Sequence, residues 1–355
     1  MGACHWRRAV RRPPFLPFQI MDVVATVDGL PAGVTAGGCV PVDAAALEAL
    51  LAGVPLAAQR RCPGGSAANV ARAVAALTDE DVSFMGAAGD DGAAAEYASG
   101  LTAASVTALL LPPPPSTTTG VCLALVTPDG QRTMRTSLGA AASFREATAA
   151  PAGWAQGATA VHVEGYALWR QGLVEGLLQE VRRASPTATT SLDCASVEVV
   201  AARGDALWAA IAAGLVDILF CNEEEAAALA AAAGGGDPLD AAVRAGARMA
   251  VASLGAAGAR CAFRDETSRG GVGTAAAPAA SVAVVDTVGA GDAFAGGVLA
   301  ALLAGASPEI ALQSGAAAGA AAVAAAGADP GAAGWAAAAA ALRALIVREP
   351  AAAPA

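Results

Sequence analysis

The chain has 355 residues, 55% of them hydrophobic but only 4% aromatic, and a net charge of −10. All its basic residues are arginine, which excludes any mechanism built on a phosphate-loop, protein-kinase or Schiff-base lysine. The acidic balance argues against nucleic-acid binding, and seven scattered cysteines without a C-x-x-C pair argue against zinc and for reduced thiols.

Residues 1–19 carry Arg7, Arg8, Arg11 and Arg12 with no acid and no apolar h-region. They read as an arginine-rich tail or transit remnant rather than a secretory signal. Pro13, Pro14 and Pro17 argue against an interior strand there. Residues 26–42 mix turn signals with β-branched residues. A helix is predicted over 67–77, opened by Gly64-Gly65-Ser66, and a strand over 82–85. The prolines at 112–115 form a stiff connector. Residues 118–126 and 132–137 then read as a hairpin around Pro128-Asp129-Gly130.

Beyond the hairpin, apolar strands are predicted over 158–163, 189–192, 216–220, 249–253 and 281–285. Helices are predicted over 171–184, 206–213, 224–232, 240–247 and 295–304. This alternation predicts an α/β fold with a mostly parallel sheet covered on both faces. The Ala/Gly-rich stretches 293–308 and 310–328 lack the Leu/Ile/Phe density of a membrane span and read as packed helices.

Asp286-Thr287-Val288-Gly289-Ala290-Gly291-Asp292-Ala293-Phe294 carries the most chemistry. A glycine turn feeding a helix N-terminus offers unpaired N–H groups and the positive end of the helix dipole to an anion. Asp292 would repel a resting anion there. It is either a general base beside a phosphoryl group in transfer or an ordinary acidic helix start. Asn222 and Glu225, one helical turn apart, can likewise converge on one site or simply begin a helix.

The nonapeptide resembles the C-terminal signature of the ribokinase-like (PfkB) sugar and nucleoside kinases, D-T-x-G-A-G-D-x-F. Other motifs follow the family's order. Gly64-Gly65 with Asn69 resembles G-G-x-x-x-N, Asn222 to Glu225 resembles N-x-x-E, and Ser253, Gly255 and Gly258 resemble T-x-G-x-x-G with Ser for Thr. Arg132 with Leu138-Gly139-Ala140 resembles a lid segment of the adenosine-kinase-like branch.

The resemblance implies a three-layer αβα sandwich with a small β-lid, formed by residues 26–42 and 118–137, within a kinase domain over 20–349. Residues 350–355 read as a tail. It implies Asp292 as catalytic base, with Gly289, Ala290 and Gly291 as anion hole. ATP and Mg2+ would be held by Asn222, Glu225, Ser253, Gly255, Gly258 and Arg132. Asp22, Gly64, Gly65 and Asn69 would bind the acceptor. No direct protein ligand to the metal is expected, and a monovalent cation (K+) is placed near Asp286.

The implied activity is ATP-dependent phosphorylation of a hydroxymethyl group on a nucleoside or ribose-like sugar, with Tyr166 and Phe144 as candidate base contacts. A fructokinase and a non-catalytic relative serving as an interaction partner are the alternatives. Small-molecule partners, no nucleic acid, no membrane and a monomer or homodimer are expected. A cytoplasmic location is expected, with plastid or mitochondrion as the alternative. Gly86 to Asp91 and His162 are expected to be structural.

Overall fold

The computed structural model describes residues 14–16, 20–128, 131–265, 267, 271–325 and 327–348. The rest of the 1–19 segment, the turn residues Asp129 and Gly130, and the 350–355 tail lie outside the described residues.

A nine-stranded sheet forms the body. In spatial order it runs β14 (Val272–Ala277), β13 (Ala259–Arg264), β12 (Met249–Ser253), β11 (Ile218–Asn222), β10 (Thr189–Asp193), β9 (Ala160–Val163), β1 (Pro14–Leu16), β5 (Val82–Ala87) and β6 (Val106–Leu111). The strands from β12 to β6 are parallel, while β13 and β14 are antiparallel additions at one edge. Ten α-helices are described: α1 (Ala44–Ala52), α2 (Ser66–Leu77), α3 (Gly92–Ala103), α4 (Leu173–Ala184), α5 (Val197–Ala212), α6 (Glu223–Ala232), α7 (Pro238–Ala245), α8 (Ala290–Leu303), α9 (Pro308–Val323) and α10 (Gly331–Arg348).

Two cores lie on the two faces of this sheet. Leu219 and Cys221 of β11 join Leu177, Val199, Leu229 and Leu239 from α4 to α7. Ile218 and Phe220 of the same strand join Val70, Leu101, Val298, Leu312 and Leu342 from α2, α3, α8, α9 and α10. Burial of alternate residues on opposite sides is what makes such strands continuously apolar. The expected three-layer sandwich is therefore present. The alanine and glycine content allows close helix approach: a Cβ at Gly297 of α8 would run into Ser314 and Gly315 of α9, and Ser314 Oγ donates to the Gly297 carbonyl at 2.8 Å. By length and composition α10 could cross a membrane. Alanine supplies most of its apolarity, and Ala338, Ala339 and Leu342 pack inward against α2 and α9.

The second sheet has the order β3 (Cys39–Pro41), β8 (Arg132–Ser137), β7 (Val121–Val126), β2 (Ile20–Thr26) and β4 (Gln59–Gly64). Its outer face packs Val23, Ala25, Leu123 and Leu125 under Leu47 of α1. The β7–β8 hairpin is as predicted. This sheet extends beyond residues 26–42 and 118–137, because β2 and β4 belong to it, and after Thr26 ends β2 only Cys39–Pro41 is a strand within 26–42.

Two further expectations need correction. An interior strand near Pro14 was argued against, yet β1 lies between β9 and β5. Pro14 is its first residue, where a missing N–H is tolerated, and Phe15 is 1% exposed. The sheet thus begins at residue 14, ahead of residue 20. Residues 281–285 are not a strand. They run as an exposed segment, tied by Val285 and Asp286 N–H bonds to the Val323 carbonyl. The strand before the glycine turn is β14.

Candidate active site

β5 and β6 extend from one side of β1 and β9 to β12 from the other, so the strand order reverses at β1. Ligands in such sheets bind where the order reverses, beyond the C-terminal ends of the strands. There, Asp193 ends β10, Asn222 ends β11 and Ser253 ends β12. These three residues, with Ser66, Tyr166, Glu225, Gly291, Asp292 and Phe294, line a cavity of about 270 Å3. A larger hollow of about 790 Å3 opens at the opposite strand ends beside Thr189, Asp217 and Met249, and no motif residue lines it.

Asp292 sits in the first turn of α8. Ser66 Oγ donates to its Oδ1 at 2.8 Å and the Asn69 amide to its Oδ2 at 2.9 Å. Burial raises its carboxyl above the ordinary range, against the pull of these two hydrogen bonds. Gly289 is the α8 N-cap at φ 69°, and a Cβ there would strike Ala328. Glycine alone meets both conditions. Ala290 and Gly291 follow as the first helical residues, whose N–H groups have no partner within the helix.

Asn69 is itself held. Arg72, buried one turn further along α2, donates to the Asn69 carbonyl oxygen at 3.3 Å and to the Pro63 carbonyl at 3.1 Å. It also pairs with Asp329. With its oxygen turned to Arg72, the Asn69 amide has its nitrogen turned to Asp292. Gly65 caps α2 at φ 90° without a side-chain bond. The cap is supplied from β9's end, where buried Glu164 accepts the Ala67 N–H at 3.1 Å.

Asp22 lies on β2, opposite Cys62 and Cys122. A Cβ at Gly64 would fall on its carboxylate, so glycine permits that approach. Burial, then the Asp292 charge, push the Asp22 carboxyl up to about 7.

Asn222 and Glu225 form a reciprocal capping box on α6: each backbone N–H donates to the other's side chain at 2.9 Å. They therefore fulfil the plainer alternative, a helix start, while still facing the cavity. Asp193 is the carboxylate that sequence reading missed, one residue beyond the predicted strand end. Its carboxyl is held well above the ordinary range by burial and by the charges of Glu225 and Asp292. Among the described residues no three His, Cys, Asp or Glu side chains cluster closely enough to hold a bare metal ion. Like charges gathered on one cavity nevertheless suit a hydrated divalent cation, which Asp193, Glu225 and the Asn222 amide would hold through water.

Ser253 reaches the cavity; Gly255 and Gly258 lie just beyond it at φ 54° and 95°, with Gly258 packed on β14 at Ala277. Arg132 does not line the cavity: it pairs with Asp286. Tyr166, 38% exposed, borders the cavity, whereas Phe144 is 1% exposed in the core and has no face to offer.

His162 is structural, as expected. Its Nδ1 shares a 2.9 Å hydrogen bond with Ser191 between the rings of Phe15 and Phe220. Asp91 caps α3 and binds Thr119.

Comparison with known proteins bears on the family and the fold. The pfkB family carbohydrate kinase description matches residues 48–333. Adenosine kinase from Sinorhizobium meliloti is 24% identical, with a TM-score of 0.78, covering 94% of this chain and 98% of its own. Adenosine kinase from Schistosoma mansoni in complex with 2-fluoroadenosine is 18% identical, with a TM-score of 0.73, over 90% and 96% of the two chains. Ribokinase from Thermotoga maritima is 20% identical, with a TM-score of 0.68, over 96% and 99%. These likenesses establish the fold. A search of curated protein sequences found no match.

Proposed function

We propose, for a chain that belongs to the pfkB family of carbohydrate kinases, that it phosphorylates a hydroxymethyl group of a nucleoside or ribose-like sugar with ATP. The observation that carries this reading is Asp292. A carboxylate is fixed by Ser66 and Asn69 in the first turn of a helix, next to the Gly291 backbone and beside the cavity.

Asp22 and the backbone at Gly64 bind acceptor hydroxyls and set the reacting one against Asp292. Asp292 takes the hydroxyl proton as the oxygen attacks the γ-phosphorus of ATP and the bond from that phosphorus to the bridging oxygen breaks, releasing ADP. Its raised pKa makes it a better base, and the hydroxyl becomes acidic only late in the reaction. The N–H groups of the 289–291 turn stabilise the negative charge on the transferring group. Asn222, Glu225 and Asp193 would hold the waters of a magnesium ion, which when bound would supply charge neutralisation to the phosphates. The second sheet covers the site and excludes water, which would otherwise compete as acceptor.

Tyr166 favours a nucleoside, since a half-exposed ring at the cavity offers a stacking surface for a base. Fructose is the next candidate. The test is ADP release screened against adenosine, other nucleosides, ribose and fructose. Highest kcat/KM with a nucleoside or ribose is expected. A tenfold preference for fructose, about 1.4 kcal/mol, would reassign the acceptor and leave the mechanism standing. Absence of turnover together with no thermal stabilisation by ATP would favour the non-catalytic reading.

A further inference from the structure

A free monovalent cation beside Asp286, expected from the family resemblance, does not fit what surrounds that carboxylate. Asp286 Oδ1 accepts the Val288 N–H at 2.8 Å, and Oδ2 accepts the Gly327 N–H at 2.7 Å. The Arg132 guanidinium pairs with the same group, the two side chains being 17% and 10% exposed. One positive charge already faces this carboxylate, so a second cation would lose its counter-charge and meet like-charge repulsion at close range in a poorly solvated place. Arg132 Nε is buried without a partner, and the pairing with Asp286 is made through a terminal nitrogen of the guanidinium. A buried guanidinium is tolerated only when paired in this way.

The two partners come from different bodies. Arg132 opens β8 of the covering sheet, and Asp286 begins the turn that presents Gly289, Ala290, Gly291 and Asp292. We infer that Arg132 is the built-in cation of this turn, replacing a free monovalent ion at Asp286 and fastening the covering sheet to the segment that carries the anion hole. Arginine suits the task because its planar fork stays charged at any physiological pH and its charge is carried by the chain itself. The cation then arrives with the lid and not from solution. The inference rests on the proposed kinase reading only for the meaning of the turn, and its test needs no turnover.

The full-length protein is unfolded thermally in rising KCl, with tetramethylammonium chloride keeping ionic strength constant. A small cation bound at Asp286 stabilises the fold by mass action, whereas the bulky one cannot enter. Wild type is expected to show no potassium-specific stabilisation. Arg132→Gln should unfold at lower temperature in tetramethylammonium and regain stability saturably with potassium. Arg132→Lys, which keeps a tethered charge, should stay insensitive. Saturable potassium-specific stabilisation of wild type or of Arg132→Lys would overturn the inference. So would a folded Arg132→Gln without a potassium response. Should Arg132→Gln fail to fold, the wild-type and Arg132→Lys titrations still decide.

Discussion

The Asn69 amide donates to Asp292 Oδ2 at 2.9 Å while its carbonyl oxygen accepts from Arg72 at 3.3 Å, so one side chain ties α2 to α8 and has its orientation fixed from below. The carboxylate is thereby held by neutral donors, as the role of base proposed for it requires.

Asp292→Asn keeps the shape and the Ser66 contact but removes the proton acceptor. A loss in kcat of roughly a hundredfold to ten-thousandfold is expected, the usual contribution of a positioned base. It is measured by ADP release, with the fold checked by thermal unfolding. Near-normal turnover would rule out the assigned role.

Asn69→Ala removes a hydrogen bond that lowers the Asp292 pKa. The acid limb of the kcat/KM pH profile should therefore move to higher pH, with a smaller loss of rate than in Asp292→Asn. A profile that falls in height without moving would mean that Asn69 contributes only to binding or folding.

Asp22 carries a stability cost. Its folded pKa, about 7, lies above the ordinary 3.8. The folded state then holds the extra proton between these values, so this contribution to stability falls as pH rises from about 4 to about 7 and is flat above. His162 acts in the opposite sense. Burial drops its pKa from 6.5 to about 3, so its unfolded form takes the proton and stability falls as pH drops below 6.5. The two slopes oppose each other, and the wild-type curve alone would hide both. Asp22→Asn should exceed wild type in stability at pH 7.5, by about 4 kcal/mol at most, and the gain should vanish near pH 4. Denaturant unfolding at the two pH values measures it. An equal gain at both would assign the effect to packing.

Phe15→Ala empties a position that is 1% exposed against α2. A loss of about 3–5 kcal/mol is expected from the deleted ring and the cavity it leaves. Urea unfolding measures it. A loss below about 1 kcal/mol, far under the usual core value, would mean that β1 contributes little to the sheet.

The parallel strands were legible because a strand buried on both faces is apolar throughout, and β12 falls on residues 249–253 as predicted. Residues 281–285 carry the same β-branched signal, yet β14 holds the edge position and leaves Val284 and Val285 65% and 63% exposed. Local propensity could not weigh that competition. β1 was hidden by its prolines, since sequence alone does not say that Pro14 is the strand's first residue. Asp292, Gly289, Gly64 and Asn69 were marked in the sequence by the resemblance of their motifs to the family's, whereas the bare patterns left an ordinary helix start open. Asp193 and Glu164 were not, because each acts on groups remote in sequence; Arg72 lies one turn from Asn69, but its burial and its pairing with Asp329 arise only in the fold.

Among the described residues, the three of β1 carry the hydrogen-bonded ladder between two slabs of sheet, β5–β6 on one side and β9 to β14 on the other. A short seam is the mechanically weakest line of such a body, and this one runs beneath the crevice where the acceptor would lie. β2, the next described strand in the chain, belongs to the second sheet. Local breathing of the body is therefore expected to begin at this line, away from its edges, and to be felt beneath the cavity.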